Sequence, residues 1–576
     1  MGGHTNRWPV LFSIATRRPA FLLVLATLTL TFLAGRRIYL QDAPVAPTFH
    51  QADSTAPAPT APAPTLPQVT SAPEPTAVEI QDATLPLLVD NIEHTALYYD
   101  RFRLSEPGKE SFGERGQRAI AIRKWIELAD TLSEGDERER IEKSVEVAIA
   151  ATFPFLANPP NGSLSPFKTL RESYITDSTE QRSRGIVIPM GKKNLRLACQ
   201  VIASITRVHK SRLPIELAYA GEKDLPREDR EHIKNLFPDE DVSFLDVLSV
   251  FNDSTLDLAN GGWAIKPFAL LASRFGEVLL ADADTVFVKD PEVVFRQQAY
   301  KRTGALMFHD RLIDKERYMA RHEWWRQQVV HPSKEVHKSL SWTENYAEEA
   351  DSGVVVVDKS RLDVLIGMLH AAWQNSKKVR DEVTYTVMYG DKESYWFGLE
   401  LTEGPYEFER YYGGIAGWLG TQDGPAEVDE PQVCSYVIAH PDAEGKGLLW
   451  YNGSLLKNKI NAAGEYLVPS HWMVNGTWNK GIRPKFSCMK DGDFHEISSD
   501  QKEVLEQSVD EAKKLDIMFD EIEGRNKEYE AKKKMDEDKH RVLGEKNKQE
   551  KDKAETTEKT KESEDKQGAG DGVPPV

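Results

Sequence analysis

Apolar and polar positions alternate along the middle of the chain with two different periods. Amphipathic stretches of helical period, such as 193–208 and 224–236, separate short apolar runs with the length and composition of buried strands. These runs are GIVIPMG (185–191), IELAYAG (215–221), GEVLLAD (276–282), ALMFHD (305–310) and SGVVVVD (352–358). Strands that alternate with helices predict an α/β domain with a mostly parallel sheet and helices on both faces, which binds ligands at the carboxyl ends of its strands.

The region before these strands has a helical pattern. One face of a helix is shared by Ala119, Ile122, Trp125, Ile126 and Ala129. We therefore predict a helical preface over 89–184, followed by the α/β domain over 185–495.

The two regions that flank this part of the chain cannot bury a core. Residues 41–88 are rich in Pro, Ala and Thr, which favours extended polyproline II geometry and predicts a stem. Residues 496–576 are dominated by charged side chains and predict a solvated tail, either solubilising or used for interaction. Part of this tail has the pattern of an amphipathic helix, with apolar residues at Val504, Leu505, Val509, Leu515, Ile517, Met518 and Ile522.

An uncharged apolar segment lies near the N-terminus between two pairs of arginines. Its length predicts a transmembrane signal anchor over 19–40, with 1–18 as a cytoplasmic tail. A cleaved signal peptide is the alternative, but the segment is longer than a typical signal-peptide core and lacks a convincing A-x-A site. Sequons agree with a lumenal domain after the anchor and stand at Asn161, Asn252, Asn452 and Asn475.

Composition excludes several classes of protein. The 91 acidic and 73 basic side chains give a net charge of −18, which argues against a nucleic-acid-binding protein because phosphates need clustered cations. The three cysteines, Cys199, Cys434 and Cys488, are too few for a disulfide framework. They allow one pair at most, and both Cys488 and Cys199 remain open as the partner of Cys434.

Asp282 and Asp284 follow the apolar run 278–280, where a predicted strand leaves the core. Residues i and i+2 of an extended chain point the same way, so both carboxylates can face one site. Paired carboxylates bind divalent cations such as Mg²⁺ or Mn²⁺, which can neutralise the diphosphate of a nucleotide donor. The pair therefore predicts a metal and nucleotide site, with a turn or capping role as the alternative.

The motifs around this acidic pair follow one another in the order of a known family. LLADADTVFVKDP is preceded by Lys266-Pro267-Phe268 and followed by GALMFHDR, DSGVVVVDK, GDKESYWFGLEL, YYGGIAGWL and CSYVIAHPDAEGKGLLWYNGSL. Over about 185–473 the chain resembles the fungal Golgi α-mannosyltransferases of glycosyltransferase family 71. The most typical members of that family are α-1,3-mannosyltransferases, and α-1,2-mannosyltransferases are close relatives.

The resemblance implies a GT-A-like, Rossmann-like catalytic domain in the Golgi lumen, carried by a single-pass type II membrane protein. It implies GDP-mannose as donor, Mn²⁺ as cofactor and a mannosylated N- or O-glycan as acceptor, with a Golgi enzyme complex among the partners. Because donor and products are both α-linked, it implies retention of configuration. No residue is assigned as a nucleophile.

The resemblance also implies a metal site and part of a donor site. Asp282 and Asp284 would be metal ligands, with Asp282 also facing the donor. His440 would be the third ligand, with His471 as its rival and a histidine of purely structural role as the alternative.

Further donor-binding residues would be Lys266, Gly353 and Lys446. The alternative role is a solvated side chain for each lysine and a turn position for Gly353. The motif GDKESYW would supply Asp391 and Glu393 as catalytic residues that reach mannose hydroxyls from the end of a helix, against a helix-capping role.

In YYGGIAGWL, Tyr412 and Trp418 are candidates for an acceptor-sugar platform, and burial in the core is the alternative.

Three functions are compatible with this reasoning. The first is metal-dependent α-1,3-mannosyl transfer. The second is α-1,2-mannosyl transfer or the use of another nucleotide sugar, since a D-x-D pair suits any of these donors. The third is a non-catalytic, stalked glycan-binding scaffold, which is disfavoured because both aspartates and the later motifs are intact together.

Overall fold

The computed structural model describes residues 77–174, 183–459, 462–482 and 484–519, together with residue 535. The predicted cytoplasmic tail, the predicted anchor over 19–40 and most of the predicted stem lie outside these residues. Within the described part of the chain, no helix is long and apolar enough to cross a membrane.

A seven-stranded sheet forms the centre of the α/β domain, in the order β3-β2-β1-β4-β7-β6-β8. Its strands are β1 (Arg184–Pro189), β2 (Ile215–Tyr219), β3 (Val242–Asp246), β4 (Glu277–Ala281), β6 (Ala305–His309), β7 (Ala350–Asp358) and β8 (Glu407–Phe408). The prediction of a mostly parallel sheet describes β1 to β4, which pair in parallel. It is wrong at β7, which runs antiparallel to both β4 and β6. An apolar run buried on both faces looks the same in either direction, so the pattern could not reveal this reversal.

Helices cover both faces of this sheet. Along β4, Val278 and Leu280 enter one hydrophobic core and Leu279 and Ala281 enter the other. The helices are α1 (Ala77–Arg101), α2 (Phe112–Thr131), α3 (Asp136–Thr152), α4 (Pro166–Glu172), α5 (Leu195–Ala203), α6 (Arg227–Leu236), α7 (Ile265–Ala272), α8 (Gln298–Thr303), α9 (Met319–Gln328), α10 (Leu340–Glu344), α11 (Leu362–Gln374), α12 (Lys377–Val379), α13 (Tyr385–Val387), α14 (Ser394–Leu401) and α15 (499–519).

Helices α1 to α4 occupy the region predicted as a helical preface. Their apolar faces enter the same core as Val278 and Leu280 of β4, through residues such as Ile122 and Ile149. Helix α1 already begins at Ala77, so the last part of the predicted stem over 41–88 is helical.

A second, antiparallel sheet follows the central one, in the order β17-β18-β11-β9-β16-β19, with β10 paired to β9. Its strands are β9 (Ile415–Thr421), β10 (Gly424–Pro425), β11 (Gln432–Ser435), β16 (His471–Val474), β17 (Thr477–Asn479), β18 (Ser487–Lys490) and β19 (Asp493–Glu496). A disulfide joins Cys434 on β11 to Cys488 on β18, whereas Cys199 is a buried free thiol. This answers the question of pairing that the sequence left open.

A small sheet ties the acidic motif to the later part of the chain. Strand β5 (Thr285–Phe287) follows the acidic pair and pairs with β13 (Leu448–Asn452), which in turn pairs with β12 (Ile438–Pro441). A hairpin of β14 (Leu456–Asn458) and β15 (Ala462–Tyr466) comes next.

The packed part of the chain extends beyond the predicted domain end at 495. Helix α15 lies within the segment predicted as a charged tail and carries the predicted amphipathic pattern. Its residues Leu505, Val509, Ala512 and Leu515 are buried in the core. The many charged residues of this helix occupy its other face, which is why composition alone pointed to a solvated segment.

Candidate active site

The acidic pair forms a tight turn at the end of β4, the middle strand of the central sheet. The amide of Asp282 donates to the carbonyl of Gly353 on β7 (2.9 Å), and the amide of Thr285 donates back to the carbonyl of Asp282 (3.1 Å). The amide of Ser454, after β13, donates to the carbonyl of Asp284 (2.7 Å). The turn is thus fixed by two other elements, with the side chains of Asp282 and Asp284 partly exposed.

Lys266 connects three parts of the site. It lies on the fully buried helix α7, and its Nζ is 2.8 Å from Oδ1 of Asp282 and 3.3 Å from Oδ2 of Asp391. The same Nζ donates to the carbonyl (2.7 Å) and the hydroxyl (2.9 Å) of Ser352. The structure therefore brings together three predicted site residues that are far apart in sequence.

The charged side chains of this group shift the pKa values of Lys266 and Asp282. Burial lowers the pKa of Lys266, but the charges of Asp282 and Asp391 outweigh burial and raise it. Burial raises the pKa of Asp282 above its usual range, against the opposing effect of Lys266. The lysine thus remains a cation between the two carboxyl groups.

Asp391 lies in the loop before α14. Besides its contact with Lys266, its Oδ2 accepts a hydrogen bond from the hydroxyl of Tyr395 (2.9 Å). Its backbone carbonyl accepts from the amide of Ser394 (2.9 Å). The carboxyl group is therefore held by side chains from α7 and α14, and its side chain does not cap α14.

Glu393 occupies a different environment from its neighbour Asp391. It is fully buried and accepts hydrogen bonds from the amides of Glu349 (3.1 Å) and Ala350 (3.3 Å) and from Nε1 of Trp396 (2.5 Å). Burial and the nearby Glu348 raise the pKa of Glu393 above its usual value. These contacts tie α14 to β7, and the predicted catalytic role of Glu393 has no support from this geometry.

Asp351 organises a second buried group beside the acidic turn. Its Oδ1 accepts from the amide of Gly353 (2.9 Å) and from Nδ2 of Asn452 (3.0 Å), and its Oδ2 is 3.1 Å from Nε2 of His440. A Cβ on Gly353 would come within 2.8 Å of Asn452 and 2.9 Å of Trp450. Glycine at 353 therefore makes room for these side chains, and its predicted contact with the donor sugar stays a prediction.

Neither Asp351 nor Asn452 was among the predicted site residues. Asp351 directly precedes SGVVVVD and Asn452 ends LLWYN, so both are polar residues at the edge of an apolar run, as Asp282 is. That signal could have identified them.

The donor atoms present suit a hard divalent cation. Asp282 and Asp284 offer carboxylate oxygens, and the buried Nδ1 of His440 makes no hydrogen bond within the described part of the chain. A carboxylate on the other ring nitrogen, as Asp351 provides, is the usual support of a metal-binding histidine. However, the described residues contain no group of three or more His, Cys, Asp or Glu side chains arranged to hold a metal. Asp284 contacts Lys459 instead. The predicted third ligand, His440, stays a prediction.

The remaining predicted residues make their described contacts with other parts of the chain. Lys446 has an exposed side chain in the turn between β12 and β13, where its amide donates to Oδ1 of Asp442 (2.8 Å). His471, the rival metal ligand, begins β16 in the second sheet, bonds to Ser470 (2.8 Å) and stacks on Phe494.

The two aromatic residues predicted as an acceptor platform are not open surfaces. Trp418 is buried and packs edge-on against Phe486 near the disulfide. Tyr412 stacks on His309 with 4.0 Å between ring centroids, and its hydroxyl accepts from the amide of Leu340 (2.7 Å). The prediction is therefore wrong for Trp418, which is buried in the core, whereas Tyr412 is partly exposed and its role stays a prediction.

A cleft of about 610 Å³ opens beside the acidic turn. Asn452 and Lys459 belong to its wall, as do Glu348, Tyr389 and Lys392. Its charged lining is dominated by cations, namely Arg311, Arg317, Lys392, Lys457, Lys459, Lys480 and Lys485, against Asp314 and Glu348. Each of these basic side chains also pairs with a carboxylate, as Lys459 does with Asp284, so an anionic ligand in this cleft would share its cations with these acids.

Sequence comparison gives this site a context. Residues 183–442 match a protein family described as "Mannosyltransferase putative". The chain is 26% identical over 339 residues to the alpha-1,3-mannosyltransferase MNN1 of Saccharomyces cerevisiae. This alignment covers 50% of this chain and 43% of MNN1. It is also 26% identical over 316 residues to the alpha-1,3-mannosyltransferase MNT3 of the same yeast, with coverage of 49% and 48%.

A shorter alignment relates the chain to the alpha-1,2-mannosyltransferase MNN23 of Candida albicans, with 26% identity over 129 residues. It covers 22% of this chain and 21% of MNN23. Among solved structures, the mannosyltransferase Ktr4p from S. cerevisiae is similar at 12% identity and a TM-score of 0.26, over 42% of this chain and 76% of that one. The chain spans less than half the length of MNN1 and of MNT3. The predicted resemblance to α-mannosyltransferases is confirmed by the family and the relatives that match.

Proposed function

Because residues 183–442 match a mannosyltransferase family, we propose that this chain transfers mannose from GDP-mannose to a mannosylated protein glycan. We propose an α-1,3 linkage, formed with retention of configuration. The observation that carries the proposal is the acidic turn 282–284, which ends the central strand β4 beside a cleft lined with basic side chains. The names of MNN1 and MNT3 support the linkage.

The proposal includes a GT-A-like fold for the α/β domain. Its support is the acidic turn at the carboxyl end of β4, at the centre of a sheet with helices on both faces. Open α/β sheets bind their ligands at such strand ends.

In the proposed donor site, acidic and basic side chains have different roles. Asp282 and Asp284 would hold Mn²⁺, which supplies positive charge for the leaving GDP. Lys457 and Lys459, in the wall of the cleft, provide cations for the diphosphate oxygens. Asp391, fixed by Lys266 and Tyr395, is the carboxylate we assign to orienting the transferred sugar.

We also propose that the chain is a single-pass type II protein of the Golgi membrane, with its catalytic domain in the lumen. The apolar segment 19–40 and the Pro-rich stem support this arrangement, and so does the Cys434–Cys488 disulfide, a bond typical of oxidising compartments. In sealed Golgi vesicles, added protease should leave the α/β domain intact until detergent is added. Cleavage without detergent would contradict a lumenal domain.

A donor and linkage assay tests the proposed activity. The detergent-solubilised full chain is incubated with α-linked mannotriose, Mn²⁺ and either GDP-mannose or UDP-glucose, and the product linkage is determined by NMR. We expect α-1,3-linked mannose from GDP-mannose alone. An α-1,2 product would favour the activity named for MNN23, and folded protein that binds mannotriose without transfer would favour the scaffold function.

A further inference from the structure

Two large aromatic side chains are exposed next to the residues of the candidate site. Trp263 is 51% exposed and Tyr389 is 66% exposed. Their ring centroids are 5.5 Å apart and their planes are tilted by 43°. Trp263 stands three residues before Lys266, and Tyr389 stands two residues before Asp391, so each ring is anchored close to a buried residue of the site.

The backbone is adapted to hold this pair together. Gly390 has a φ of +69°, a left-handed conformation that other residues adopt at a cost. A Cβ at this position would also come within 2.9 Å of Cε3 of Trp263. Glycine at 390 thus allows the indole ring to lie against the chain that connects Tyr389 to Asp391.

The exposed pair reaches the cleft beside the acidic turn through Tyr389. Tyr389 belongs to the lining of this cleft, together with Tyr318, which is 40% exposed. Lys392 lies with its Nζ 5.4 Å from the ring centroid of Tyr389. Lys392 and Glu348 also contribute polar groups to the wall. Exposed rings beside convergent polar groups are characteristic of ligand-binding grooves.

We propose that Trp263 and Tyr389 form a binding subsite for a hexopyranose ring of the acceptor glycan. One face of such a ring carries C–H groups and packs on an aromatic plane, while its hydroxyls need polar partners at the edge, which Lys392 and Glu348 supply. The assignment of the sugar to the acceptor rests on the proposed function. It gives the acceptor a platform at the cleft, in place of Trp418, which is buried, and Tyr412, which stacks on His309.

Binding and kinetics of Trp263→Ala and Tyr389→Ala, with the full chain in detergent, test this proposal. Mannotriose binding is measured by saturation-transfer NMR. Truncation of an aromatic contact should weaken this binding by about tenfold. The acceptor KM should rise by about the same factor while kcat and the KM for GDP-mannose stay within about twofold. Trp263→Phe and Tyr389→Phe should restore most of the affinity. Phe102→Ala, which removes an exposed ring elsewhere, is the matched control and should change nothing.

The outcomes separate this proposal from the proposed function. Mannotriose binding that depends on Trp263 and Tyr389 in a chain without transferase activity would leave the subsite intact and remove the function. Unchanged mannotriose affinity in both folded alanine variants would overturn the subsite. A rise in the KM for GDP-mannose alone would also overturn it, because the rings would then hold the nucleotide. Circular dichroism and thermal unfolding verify that each variant is folded.

Discussion

At the scale of single residues, the buried ammonium group of Lys266 determines whether the site can hold two acidic side chains close together. It contacts Asp282, Asp391 and Ser352 from a helix with no exposed residue. Removal of one partner of a buried ion pair leaves the other charge without compensation in a poorly solvated place.

We therefore predict that Lys266→Met lowers the free energy of unfolding by about 3 kcal/mol, measured by urea denaturation. The matched control is Lys143→Met, which removes an exposed lysine paired with Glu139 on α3, and this change should leave the free energy of unfolding nearly unchanged because an exposed ion pair contributes little. Equal stability of the two variants would show that Lys266 does not compensate the negative charge of buried carboxylates.

The sequence predicted part of this residue-scale arrangement and missed another part. Asp282 and Asp284 could be predicted because two carboxylates directly follow a buried strand. The contacts of Asp351 with His440 and Asn452 join residues 89 and 101 positions apart. Such contacts depend on which strands become neighbours, and apolar periodicity carries no information about that. The same limit explains why Trp418 was predicted to be a platform although it is buried.

At the scale of elements, the sequence predicted the strands of the central sheet better than their direction or their surroundings. The apolar runs that became β1, β2, β4, β6 and β7 were recognised because each is buried on both faces. The second sheet was missed, since its short strands lie in segments where glycines and polar residues interrupt the apolar pattern. Helix α15 was predicted as an amphipathic stretch, but its attachment to the core required the structure.

Helix α15 offers a test of how firmly it belongs to the domain. Leu505 is fully buried in this helix, and Ser508 bonds to Ser204 on the domain (2.9 Å). We predict that Leu505→Ala lowers the free energy of unfolding by about 2 to 4 kcal/mol, because it removes core contacts and leaves a cavity. Lys513→Ala, on the exposed face of the same helix, is the control and should have little effect. If Leu505→Ala is as stable as Lys513→Ala, the helix does not contribute to the folded domain.

At the scale of the whole molecule, buried histidines limit stability in acid. His370 is fully buried between α2 and α11, and its Nε2 is 3.1 Å from the carbonyl of Phe112. Burial lowers the pKa of His370 to about 3 and that of His322 to about 4. In the unfolded chain these histidines take up a proton near pH 6.5. Between the lowered pKa values of the folded chain and about pH 6.5, the unfolded chain therefore binds more protons than the folded chain.

The contribution of these two histidines to stability is therefore complete above about pH 6.5 and is lost as the pH falls towards 4, by about 2 kcal/mol per histidine at pH 5. We predict that His370→Gln flattens this dependence, measured as the free energy of unfolding at pH 7.5, 6 and 5. His331→Gln, at an exposed position, should retain the slope of the original chain. An unchanged slope in His370→Gln would mean that this histidine is protonated in the folded state.

The central claim is that the acidic turn at the end of β4 is a metal-dependent mannosyl-transfer site. The most direct measurement compares mannose transfer from GDP-mannose by the full chain and by Asp284→Asn, with Mn²⁺ or with EDTA, and with Asp491→Asn as an exposed-acid control. We predict that EDTA abolishes transfer and that Asp284→Asn lowers kcat/KM by about a hundredfold or more, while Asp491→Asn keeps full activity. Folded Asp284→Asn that transfers mannose at the original rate, or transfer that persists in EDTA, would contradict the account.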